Sequence, residues 1–175
     1  MTPIPESYWK IIEPLINTAR GFLENGEELV PIAFVGNFKA DTTIPVRLQA
    51  GSDEAKDQSA RAIKLIAEQH NADFIFTIME AWSLRPDKLR MVDEIYEKYG
   101  SIGQAPDSYK IEVLSLSLET RHGVFVAQCP IKPKGYSKKK RTIGTPEFRL
   151  FTEAQGRFVD LLPMKDDEPA GGILH

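Results

Sequence analysis

The side chains best suited to acid–base chemistry are Glu80, which closes the longest apolar run of the chain, Asn71–Leu84 (NADFIFTIMEAWSL), and Glu119 and His122, which follow a second apolar stretch. Strand alternation puts Glu80 on the face of Phe76, Ile78 and Trp82, where an ionised carboxylate is costly unless it is paired. Two readings follow. In one, Glu80 ends the strand in a salt bridge or a hydrogen bond to loop backbone. In the other it is a general base or metal ligand, joined by Glu119 or His122 in a metal-assisted hydrolase. Spacing alone does not bring these residues together. An arginine alone beside Glu80 would favour structure, and a second carboxylate in a cleft would favour chemistry.

Two further groups invite binding rather than catalysis. Trp82, at the end of the same run, either closes the core or meets a partner. Lys132–Arg141 (KPKGYSKKKR) holds six of the basic residues; the whole chain carries −3, so the remainder stands at −9. In a nucleic-acid reading, Lys138, Lys139, Lys140 and Arg141 neutralise phosphates while Tyr136 stacks on a base. In the plainer reading the segment is a solvated loop whose lysines discourage unwanted strand pairing.

Other chemistry finds little footing. The chain has no GxxxxGK[ST], no GxGxxG after a strand, no HExxH, no CxxC and no GxSxG. A deaminase centre is excluded because the Ser52–His70 segment lacks HxE and nothing resembles PCxxC. One cysteine and three histidines are poor material for a zinc site, so neither metal nor cofactor is expected. Cys129 lies in the apolar run VFVAQCPI and reads as a buried, inert thiol. A lone cysteine, and an N-terminus without a basic segment followed by an apolar one, point to the cytoplasm. The apolar run, broken by Thr77 and Glu80, is shorter than the roughly 20 residues that span a bilayer, so no membrane segment is expected.

The elements that must position these groups are legible in the periodicities. Ser7 is placed to cap a helix with Tyr8, Ile11, Ile12, Leu15, Ile16, Ala19, Phe22 and Leu23 on one face, Pro14 as its flaw and Asn25–Gly26 as its stop. Leu29–Asn37 and Thr43–Gln49 form a hairpin. Ser52 caps a small-residue helix that ends at Asn71 and leads into the apolar strand, and Pro86 opens another that ends at Gly100. Tyr109–Thr120 pairs with Val124–Ile131 across Arg121–Gly123. The change of parity between Ile111 and Val113 on the one hand and Leu114, Leu116 and Leu118 on the other points to a bulge or a change of covered face. Glu147–Phe151 and Arg157–Leu162 read as a last short pair of strands.

The order α-β-β-α-β-α-β-β-β-β predicts an α+β fold, a mostly antiparallel sheet of about five to seven strands with helices mainly on one face. With 42% hydrophobic and 27% charged residues among 175, the composition is that of an ordinary globular chain. One domain over residues 1–162 and a flexible tail over 163–175 are expected.

The segment from about Pro31 to Ile131 resembles a group of small bacterial proteins of unknown function. A polar helix runs there into an apolar strand closing on Glu-Ala-Trp, followed by an Arg/Pro connection and a hairpin. The matching residues are Asp73–Ile78, Glu80–Ala81–Trp82, Arg85–Pro86 and Val113–Val126. The resemblance implies no reaction, cofactor or partner. The leading expectation is a non-enzymatic cytoplasmic domain that acts through protein contacts, by self-association or with another protein, at a sheet edge or near Trp82. Nucleic-acid binding by Lys132–Arg141 and hydrolysis by Glu80 and Glu119 are the alternatives.

Overall fold

A computed structural model describes residues 3–49, 51–152 and 161–163. Helix α1 (Glu6–Glu24) is followed by strands β1 (Ile32–Asn37) and β2 (Thr42–Arg47), helix α2 (Asp53–Gln69) and the long strand β3 (Phe74–Leu84). A 3-10 segment, Pro86–Met91, runs into α3 (Val92–Tyr99). Then come β4 (Lys110–Thr120), β5 (Gly123–Pro130), the two-residue strands β6 (Lys132–Pro133) and β7 (Arg141–Thr142), and β8 (Arg149–Phe151). Six strands make one antiparallel sheet in the order β2-β1-β3-β4-β5-β8, and β6 pairs with β7 alone. The α+β class is therefore as the sequence predicts.

The helix boundaries have local causes. Pro5, not Ser7, precedes the first turn of α1; its fixed φ of −56° suits a helix entry, and Tyr8 and Trp9 both donate to its carbonyl. Pro14 sits on the exposed side of α1, so the carbonyl it leaves unpartnered in the helix faces water. Ser52 caps α2 as expected, its Oγ accepting from Ala55 N at 3.0 Å, and Asn71 ends that helix in the left-handed region at φ 49°. Asn37 then fastens the β1–β2 hairpin to this corner by donating to the carbonyls of His70 and Asn71.

The register decides which side of the sheet each residue serves. Phe74, Phe76 and Ile78 align with Leu118, Leu116 and their neighbours, and join Tyr8, Ile12, Ile16 and Leu23 of α1 in one core. Ile75, Ala33 and Val35 face the other way and pack with Ile63 and Ala67 of α2. Where the sequence reading puts the helices mainly on one face, α1 and α2 thus take opposite faces, because β3 is apolar at both parities from Phe74 to Met79 and both sides need cover. A third cluster, of Leu84, Ile95 and Ala105, closes the far end of β3.

The predicted bulge in β4 is absent. Its pairing with β3 runs without interruption from Phe74↔Thr120 to Leu84↔Lys110, and the pairing with β5 is equally regular. Val113 and Leu114 are both buried simply because the strand is covered on both faces. Of the expected last pair of strands, Arg149–Phe151 is present but pairs with β5. Residues 157–160 of the other strand, and the expected tail beyond Pro163, lie outside the described residues. Among the described residues no helix is long and apolar enough to cross a membrane.

Candidate functional site

The face of the sheet covered by α1 continues past Ile78 to Glu80, Trp82 and Leu84, and here the sequence candidates are sorted. Arg141, at the start of β7, reaches down between two strands. Its Nη2 donates to Glu80 Oε1 at 2.8 Å and its Nη1 to Glu112 Oε2 at 3.1 Å. Glu80 lies opposite Leu114 and Glu112 opposite Trp82, so the two carboxylates are diagonal neighbours on adjacent strands. A guanidinium fork suits this arrangement because its fixed donors can serve two acceptors at once. All three groups keep between 28% and 46% exposure, so the clamp fixes geometry more than it adds stability.

Arg141 brings the β6–β7 hairpin with it. Lys134 Nζ lies 3.2 Å from Glu24 Oε1, and Thr142 Oγ1 donates to Glu24 Oε2 at 2.7 Å. The hydrogen bond from Thr142, then that from Lys134, hold the Glu24 carboxyl below its usual range. Lysine at this end of α1 also faces the negative end of the helix dipole. The segment that reads as a plain basic loop is thus a two-stranded hairpin pinned at both sides. The acidic partners, 29, 61 and 110 residues away in sequence, have no periodic signature that could reveal them.

Beyond the clamp stands Trp82, 42% exposed and therefore not the closure of the core. Lys110 Nζ lies 4.3 Å from its ring centroid and donates to Gly103 O at 2.6 Å, with the Asp107 carboxylate 3.7 Å away. Lys110 itself is buried, at 8% exposure. A buried ammonium needs such partners, and the aromatic face supplies one by its quadrupole. Gly103 runs alongside the ring, where even an added Cβ would make only ordinary contact with Trp82 Cδ1, at 3.4 Å. The indole thus rests on the Lys110 ammonium while much of it meets solvent.

Glu119 and His122 are elsewhere. Glu119 pairs with Ile75 and Glu80 with Leu114, which separates the two carboxylates by five strand positions, about 17 Å, on opposite faces of the sheet. The proposed pair is not brought together. Glu119 is buried, at 6% exposure, and accepts from Leu161 N at 2.8 Å and Leu162 N at 3.3 Å, fastening that segment over the α2 side. His122 is exposed in the β4–β5 turn, where its N–H donates to Thr120 Oγ1. Among the described residues, no group of three or more His, Cys, Asp or Glu is arranged to hold a metal ion. Cys129 is buried, and desolvation pushes its thiol up to about 11.

A groove of about 160 Å³ opens between α1 and β1, lined by Leu15, Ala19, Phe22, Leu29 and Ile32 with Thr18 and Glu28 at hand. Comparison with family models, with curated proteins and with solved structures found no match.

Proposed function

We propose that this protein acts by contact between protein chains, in the first place with a second copy of itself, through the surface around Trp82, and that it does so in the cytoplasm. The observation that carries this reading is an exposed tryptophan whose ring already packs against the buried Lys110 ammonium. Large aromatic anchors dominate the energetics of protein interfaces, and a ring packed before binding loses less freedom on docking. The rim has both signs of charge, from Glu80, Glu112 and Asp107 and from Arg141, which suits the self-complementary patch of a two-fold dimer. The sheet edge is the less favourable place. Edge strand β2 carries Pro45, which offers no N–H to an added strand, and β8 at the other edge has only three residues.

Sedimentation equilibrium from micromolar to millimolar concentration tests the reading, with Trp82→Ala beside the parent chain. Reversible dimerisation is expected, weakened about 30-fold or more by the substitution, the effect of a central interface residue. A chain that stays monomeric at millimolar concentration, or dimerises equally well without the indole, overturns it.

A further inference from the structure

We infer that the β6–β7 hairpin is a preorganised finger for single-stranded nucleic acid, whose contact residues are distinct from Trp82 and which shares with the Trp82 surface only its fastening at Arg141. Its tip combines a tyrosine ring with no cover at all, Tyr136 at 108% exposure, and three exposed lysines, Lys138, Lys139 and Lys140. Isolated two-stranded hairpins are marginal in water, so the shape of this one must come from its fastenings. Arg141 is held by Glu80 and Glu112, Lys134 by Glu24, and Lys134 N donates to Lys140 O at 2.9 Å across the base of the tip. Within the tip, Ser137 Oγ accepts from the N–H groups of Lys139 and Lys140, at 3.3 and 3.1 Å, and Gly135 takes φ 63°. The backbone that carries the lysines is therefore ordered before any ligand arrives.

The division of charge is informative. Arg141 and Lys134 are matched by carboxylates of the same chain, whereas no ion pair joins Lys138, Lys139 or Lys140 to a described residue. A cluster of free cations beside an open aromatic face suits a ligand with both phosphates and unstacked bases. An acidic peptide would use the lysines and leave the ring idle, and a duplex hides its base faces. Arg141 is on this account a positioning residue that does not contact the ligand.

Fluorescence anisotropy of the full chain with labelled oligothymidylate tests this, alongside a matched duplex, polyglutamate and phosphatidylserine vesicles. With three phosphates neutralised, log affinity should fall against log salt with a slope of about −2, roughly an 18-fold loss between about 50 and about 200 mM. Replacing Lys138, Lys139 and Lys140 by glutamine should remove that dependence. Tyr136→Ala should weaken binding about 5- to 150-fold without altering the slope. Arg141→Ala should weaken binding and also leave the slope unchanged, because its charge is already matched. No binding at low salt, tighter binding to duplex, polyglutamate or vesicles than to the single strand, or indifference to Tyr136→Ala would each overturn the inference. Tyr136, Lys138, Lys139 and Lys140 lie outside the rim of Trp82, so in those variants dimerisation and nucleic-acid binding fail or succeed separately, whereas Arg141→Ala also removes a charge of that rim and is read for its salt slope alone.

Discussion

Gly36 is the point at which the packing of β1 on β3 has no room for error. It lies opposite Phe74, and the Phe74 ring folds over it: a Cβ at Gly36 would stand 2.0 Å from Phe74 Cζ and 2.2 Å from Cε1. Ordinary contact begins near 3.4 Å, so the ring would have to retreat by roughly 1.4 Å. Its retreat is blocked on the side of buried Tyr8. Phe74 is fully buried, with its ring centroid 5.9 Å from that of Tyr8 and 5.4 Å from that of Phe38. Gly36→Ala should therefore cost about 3 kcal/mol by overpacking, well above the ~0.4–1 kcal/mol that reduced freedom of the unfolded chain returns. At this chain length the expected fall in Tm is about 6–12 °C. The assay is a urea melt of the four-member cycle with Phe74→Leu, whose smaller side chain should take back part of the loss, with a coupling energy of about 1–3 kcal/mol. A loss below about 1 kcal/mol for Gly36→Ala, or additive effects in the double variant, would refute the overlap.

Glu119 should behave as a fastening: Glu119→Ala leaves the N–H groups of Leu161 and Leu162 without their acceptor and should cost about 2–3 kcal/mol, whereas Glu119→Gln keeps an acceptor oxygen and should cost less. Hydrogen exchange at the Leu161 amide checks this, since only the alanine variant should lose protection there. Cys129 supplies a pH test with a definite sign. Burial raises its thiol from 9.0 to about 11, so its contribution to stability is complete below pH 9 and is lost as pH rises towards 11, where the unfolded chain ionises first. The stability difference between the parent chain and Cys129→Ala, measured by denaturant melts, should be flat below pH 9 and fall above it; a difference independent of pH would mean the thiol is solvated.

Periodic features are legible in the sequence. The cap at Ser52 and the stop at Asn71 are local consequences of backbone geometry and side-chain size and stand where the spacing puts them, and of the small-residue stripe of α2 Ser59, Ile63 and Ala67 are buried while Ala62 is exposed. The parity change in β4 was visible too, but its cause was not. A sequence shows that Val113 and Leu114 are both apolar, and only the sheet shows that both faces are covered.

The candidate site divides along the same line. Sequence by itself determined that Glu80 needs a partner and that the basic charge is gathered between Lys132 and Arg141, because the cost of a carboxylate on an apolar face and the sum of charges are properties of composition and pattern. Tertiary structure alone decided that each is part of the answer to the other. Arg141 meets Glu80 and Glu112 through strand pairings that join residues far apart in the chain, and the same register sends Glu119 to the opposite face. Long-range pairing leaves no trace in local spacing, so the clamp, the half-exposed Trp82 and the poised lysine tip could only be read from the fold.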